Sequence, residues 1–168
     1  MKDHAVNLYI LNDSVEMAGK LRKYLLKRFG RNLNVSLFFS SRSCLRMIGD
    51  HVDLVVVDDF LNEGGASGTT GTEVLKRIKD RSPRTEVVIM TSHEDIGSAV
   101  EAMRLGARDY IPNRMGAWQR LQHIVEQTIR QPIRYFVAEY GVNVFMAAFS
   151  LTFLAMGVVT WLALRYWV

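Results

Sequence analysis

The chain has 168 residues, a formal net charge of +4 and 49% hydrophobic residues, enough for one domain of ordinary size with an appendage. Its single cysteine, Cys44, excludes a disulfide framework and a cysteine-held metal cluster, and fits a small core residue in a reducing compartment. All charges but those of Glu139 and Arg165 fall within residues 1–134, with no basic stripe interleaved with aromatics. The mild excess therefore points to an anionic membrane surface before nucleic acid.

The opening Met1–Val6 runs straight into a short apolar stretch, so no signal peptide is expected. Val6–Leu11 predicts a first strand closing on Asn12, Asp13 and Ser14. Asp13 or Ser14 can cap a helix that runs to about Arg28 and stops at Gly30. Val35, Leu37 and Phe39 alternate as a second strand, and Ser40-Ser41 opens a short helix carrying Leu45 and Ile48. Asp53–Asp58 is the third strand. Its run Leu54-Val-Val-Val57 reads as buried on both faces of a parallel sheet, and it delivers Asp58 to the sheet's rim. Residues 62–71 contain four glycines and are expected to be irregular. A helix with Val74, Leu75 and Ile78 follows, ending before Ser82-Pro83. Glu86–Met90 is a fourth strand closing on Thr91-Ser92, and Ile96–Leu105 a helix stopped by Gly106. Asp109–Pro112 is a fifth strand, and Ala117 to about Arg130 a last helix with Leu121, Ile124, Val125 and Ile129 facing in.

Five strands alternating with five helices imply an α/β fold with a doubly wound parallel sheet, taken here in the flavodoxin-like order 2-1-3-4-5. In that order the first and third strands are neighbours, so Asp13 and Asp58 converge at the rim, with Thr91 and Asn113 arriving from the next strands. Two nearby carboxylates repel, and a hard divalent cation with oxygen ligands relieves this; Mg²⁺, which keeps several waters, fits best. A carboxylate beside such a cation, with the Thr91 hydroxyl close by, suits acceptance of a phosphoryl group.

Several stretches in order, across roughly residues 4–130, carry a family likeness: ILND at 10–13, VDLVVVD at 52–58, GTEVLKRIK at 71–79, VIMTS at 88–92 and AVEAMRLGARDYIP at 99–112. On them the chain resembles the response-regulator receiver family of two-component phosphorelay signalling. The resemblance implies that Asp58 accepts phosphate from a partner histidine kinase. It implies that Asp13, Asp58 and the backbone carbonyl of Phe60 bind Mg²⁺. Thr91 would move toward the phosphoryl group, and Tyr110, in the switch-aromatic position, would turn inward with it. Three departures make the receiver atypical. The family's first acid is Asn12, leaving at most a weak, water-mediated contact to a weakened metal site. The family's lysine falls at Asn113 and the proline after it at Arg114. The loop after Asp58 is also longer than usual, with Asn62 in the usual proline position.

Gln131-Pro132 must end or kink the last helix. Residues 131–141 read as a juxtamembrane linker, and Val142–Leu164 as 23 residues without a charge. At ~1.5 Å per residue that helix spans roughly 34 Å, enough for a hydrocarbon core of about 30 Å. Tyr135, Phe136 and Tyr140 on one side, with Trp161, Tyr166 and Trp167 on the other, form interfacial belts. Arg130 and Arg134 precede the span and Arg165 follows it. A receiver domain over 1–130 is thus expected on the cytoplasmic side of a bacterial inner membrane, with a single-pass anchor and residues 165–168 protruding beyond.

No DNA-binding or enzymatic output domain is expected in the remaining residues, and no nucleic acid partner. The first functional expectation is a membrane-anchored switch, phosphorylated at Asp58, that docks on a neighbouring protein. The second is a phosphorylation-independent pseudo-receiver, an accessory or scaffold subunit of a larger membrane protein complex. An enzyme is not expected: the turn after the first strand lacks the glycines of a dinucleotide or phosphate loop, and a haloacid-dehalogenase-like phosphatase would need an acid at Phe60.

Overall fold

The computed structural model describes residues 5–62, 68–130, 149–154, 156–157, 160–161 and 165. The chain forms two compact units, Met1–Arg130 and Gln131–Val168.

In the first unit, a parallel sheet of five strands has the order β2-β1-β3-β6-β7, formed by β1 (Val6–Leu11), β2 (Leu33–Phe38), β3 (Leu54–Asp58), β6 (Glu86–Thr91) and β7 (Asp109–Pro112). This is the order expected from sequence, 2-1-3-4-5. The helices are α1 (Val15–Phe29), α2 (Ser41–Met47), α3 (Gly71–Arg81), α4 (Ile96–Arg104) and α5 (Ala117–Ile129).

Side chains alternate along each strand, so the sheet divides the core into two layers. Leu8, Ile10, Leu54, Val56 and Ile111 pack with Leu21 and Leu25 of α1 and Leu121 and Val125 of α5. Tyr9, Leu11, Val55, Val57 and Ile89 pack on the other side with Leu45 of α2, Leu75 and Ile78 of α3 and Ala102 of α4. Burying each such Leu or Ile contributes roughly 1.5–3 kcal/mol. Cys44 lies in the second layer, where burial pushes its thiol up to about 12, making it an unreactive packing residue.

The helix starts follow local chemistry. The Ser14 hydroxyl accepts from the Met17 N–H at 3.3 Å, which makes Ser14, rather than Asp13, the cap of α1. Asp95 caps α4 by accepting from the Ser98 N–H at 2.7 Å. Gly30, Gly106 and Gly116 carry positive φ at helix boundaries, where a Cβ would be strained.

Two expectations need correction. The second strand begins at Leu33, whose side chain is buried, and ends before Phe39, which is 43% exposed. The expected irregular segment 62–71 is ordered at its far end. There β4 (Phe60–Leu61) pairs antiparallel with β5 (Thr69–Thr70). Thr70 then caps α3 in a reciprocal capping box with Glu73. The two-residue ribbon closes the base of the glycine-rich loop.

In the second unit residues 149–154 are helical, with Phe149 and Phe153 rings 5.1 Å apart and the Thr152 hydroxyl donating to the Phe149 carbonyl at 2.8 Å. Among the described residues no helix is long and apolar enough to cross a membrane. The expected linker 131–141 and most of the expected span 142–164 lie outside the described residues.

Candidate functional site

The parallel register brings the carboxyl ends of neighbouring strands level. Leu11 pairs with Val57, so Asn12 and Asp13 emerge beside Asp58; Asp58 pairs with Met90, and Thr91 with Pro112. A cavity of about 250 Å³ opens there, lined by Asn12, Asp13, Asp58, Thr91 and Asn113, with Met17 of α1 and Trp118 of α5 as apolar walls. These are the residues that sequence placed at the rim. Phe60 and Tyr110 do not line the cavity.

Asp58 is half-buried. One carboxylate oxygen accepts from the Asn12 side-chain amide at 2.7 Å and the other from the Phe60 N–H at 3.5 Å. Burial, above all, raises its pKa; the Phe60 N–H opposes this and the Asp13 charge adds to it. Asn12 cannot freely turn its amide over. Its oxygen accepts the Ser14 N–H at 2.7 Å, which leaves the NH₂ toward Asp58. Asn12 therefore meets Asp58 as a hydrogen-bond donor. Asp13 accepts the N–H of Asn62 at 3.2 Å, joining the rim of β1 to the segment after β4.

Thr91 is buried, and its hydroxyl both donates to the His93 carbonyl at 2.8 Å and accepts the His93 N–H at 3.0 Å. Asn113 faces the cavity and its backbone N–H donates to the Thr91 carbonyl at 2.6 Å. Arg114 pairs instead with Glu94 at 2.8 Å on the exposed surface, in keeping with the alternation of an extended segment.

Tyr110 is buried on the opposite side of the sheet and points inward, its hydroxyl donating to Asp59 at 2.8 Å. Burial is the largest cause of its raised pKa, with a Thr91 contact opposing and the Asp59 carboxylate adding. Sequence reading singled out neither this Asp59–Tyr110 bond nor the orienting role of Ser14. The signal for the first was present: strand alternation sends Asp59 to the face opposite Asp58. Just beyond, the Gly71 N–H donates to the Asp59 carbonyl at 2.8 Å, and a Cβ on Gly71 would stand 2.9 Å from the Asp59 Cα. Only glycine allows α3 to start so close to the acidic pair.

The response regulator receiver domain matches residues 8–126. The chain belongs to the response regulator receiver family. Among curated relatives, the regulatory protein LuxO of Vibrio cholerae is 32% identical over 123 residues, covering 73% of this chain and 25% of LuxO. The transcriptional regulatory protein FixJ of Bradyrhizobium diazoefficiens is 33% identical over 125 residues, covering 74% of this chain and 57% of FixJ. The receiver thus spans only part of those regulators. Among solved structures, a receiver domain protein from Clostridium thermocellum aligns with a TM-score of 0.63 at 25% identity, over 75% of this chain and 95% of that one. A receiver protein from Pseudoalteromonas atlantica aligns with a TM-score of 0.62 at 27% identity, over 74% and 97%.

Receiver domains generally bind Mg²⁺ at the phosphorylation site. The donor set here fits a hard divalent cation: the Asp13 and Asp58 carboxylates share one cavity, and the charge of Asp13 raises the Asp58 pKa. Among the described residues no group of three or more His, Cys, Asp or Glu side chains could hold a metal. One or two carboxylates with waters are the usual protein contribution to Mg²⁺.

Proposed function

We propose that the chain is a membrane-anchored, atypical receiver that accepts a phosphoryl group on Asp58 and acts through protein–protein contacts, without enzymatic activity of its own. The observation that carries this reading is the convergence of Asp13, Asp58 and Thr91 on one cavity at the strand ends. In the transfer, an Asp58 carboxylate oxygen forms a bond to phosphorus as the phosphorus–nitrogen bond of a partner kinase's phosphohistidine breaks, and the freed imidazole takes up a proton. Bound Mg²⁺ supplies charge compensation for the phosphoryl oxygens. Asn12 steadies one Asp58 oxygen, leaving the other, met by the long Phe60 contact, as the nucleophile. The Thr91 hydroxyl must leave His93 to reach the phosphoryl group. Residues 142–164 supply the anchor, placing the receiver at the cytoplasmic face of a bacterial inner membrane; their lack of charge, aromatic flanks and arginine bias support this.

A second reading is favoured by a specific set of contacts. Asn12 already occupies Asp58, Tyr110 is already inward on Asp59, and Asn113 stands where the family has lysine. These support a phosphorylation-independent pseudo-receiver that serves a membrane protein complex as accessory or scaffold. Beryllofluoride with Mg²⁺, added to the full chain in mild detergent, separates the two. Amide shifts at Asp58, Thr91 and Asn113 that vanish in Asp58→Ala support the switch; an unchanged spectrum at millimolar Mg²⁺ supports the scaffold.

A further inference from the structure

A second cleft, of about 430 Å³, lies between α2 and α3 and shares no lining residue with the Asp58 cavity. Arg42 and Arg46 line it from α2, Arg77 and Arg81 from α3, with Ser41, Leu45 and Thr69 completing the wall. Each arginine pair is spaced i, i+4, so each helix stacks two guanidinium groups on one face. Among the described residues no carboxylate lines the cleft, and α2 carries no acid anywhere along its length.

The contrast with the ion-paired arginines elsewhere is plain. Arg108, Arg114, Arg120 and Arg130 each hold a carboxylate. Among the described residues none of the four cleft arginines is in an ion pair. Arg81 donates to the Leu45 carbonyl, which ties α3 to α2 and sets the spacing of the cleft walls. Arg42, Arg46 and Arg77 make no hydrogen bond among the described residues. Four like charges gathered by the fold repel one another, and no described residue lining the cleft carries an opposite charge.

The chemistry selects the occupant. Guanidinium forks match phosphate oxygens two at a time, where an ammonium acts as a point charge. Four of them suit an anion with several charges in a small volume, and the cleft lies within the ~300–1,000 Å³ typical of small-molecule sites. We propose that the α2–α3 cleft binds a small polyphosphate anion, of nucleoside diphosphate or triphosphate size, held by Arg42, Arg46, Arg77 and Arg81. This site is independent of phosphoryl chemistry at Asp58.

The test is calorimetric titration of the full chain in mild non-ionic detergent with sodium pyrophosphate, repeated with citrate and with glycerophosphoglycerol, a soluble phospholipid headgroup. The expected result is saturable binding of pyrophosphate that weakens with salt, together with clearly weaker binding of citrate and of the headgroup. Arg42→Gln and Arg77→Gln should each weaken it about tenfold, the loss of one charge-assisted contact. Arg22→Gln on α1 and Asp58→Ala should leave it unchanged. Arg42 and Arg77 are both exposed, so their variants should keep the wild-type urea midpoint. The proposal is overturned by the absence of saturable binding, or by full affinity in the Arg42→Gln, Arg77→Gln double variant. Loss of binding in Asp58→Ala would move the anion to the other cavity. Binding of citrate or of the headgroup as tight as pyrophosphate would replace the free polyphosphate with a carboxylate or a lipid.

Discussion

Asp58 and Asp59 are adjacent in the chain and live in opposite environments. Asp58 opens toward α1 and α5, into a cavity where Asn12 bonds to it and Asp13 repels it. Asp59 turns to the side of α3 and α4 and accepts the hydroxyl of a buried tyrosine. One face of the rim keeps an acid available to a ligand, while the other uses an acid to hold an aromatic ring in place. The difference shows how a single pleat separates chemistry from its mechanical readout, since a one-residue shift in β3 would exchange the two roles.

The two faces share one sheet, and cutting the core on either side should be the largest perturbation. Leu54→Ala, in the α1/α5 layer, and Ile89→Ala, in the α3/α4 layer, should each cost about 2–5 kcal/mol in urea unfolding. A much smaller loss on one side would show that its layer is not integral to the fold. The next effect tests the Asp58 face. Asn12→Asp exchanges an amide donor for a second carboxylate, and should tighten Mg²⁺ binding about tenfold, because affinity follows the charge count of the ligands. Unchanged Mg²⁺ affinity in that variant would mean that position 12 does not face the cation. On the other face, Tyr110→Phe removes the bond to Asp59 and should cost about 1 kcal/mol. It should also release the ring from its inward position, read as averaging of the ring signals in NMR.

The smallest effect concerns pH. Asp58 has a raised pKa in the folded protein, so the native state holds its proton more tightly than the unfolded chain does. Stability should therefore fall as pH rises from the ordinary carboxylate range through the raised value, then level off. In Asp58→Asn this fall should disappear, leaving the variant more stable than the parent at neutral pH and no more stable in acid. Identical pH profiles would show that burial of Asp58 has no energetic consequence.

Much of this arrangement was written in local pattern. The run Leu54–Val57 read as a strand buried on both faces, alternation with helices implied a parallel sheet, and the strand order was taken from the flavodoxin-like arrangement. That alone brought Asp13, Asp58, Thr91 and Asn113 to one rim. What sequence did not reveal depends on contacts between distant residues or on the orientation of a single group. Phe60–Leu61 and Thr69–Thr70 are too short to show a period, and they pair only because the chain returns on itself. Yet Thr70 and Glu73 spell a capping box that could have marked the start of α3. The edge strand β2 was placed too late because only part of it is buried, blurring its alternation. Whether Asn12 would offer oxygen or nitrogen to Asp58 rested on the Ser14 N–H, which no motif announces.

The glycine at the head of α3 has a structural cost and a benefit. With a Cβ barred by the Asp59 backbone, helix and acidic peptide meet with no cushioning side chain between them. Any displacement of that peptide is felt at once by the helix that carries Arg77 and Arg81. Position 71 thus acts as a rigid bearing, where an alanine would force the joint apart before it altered either site.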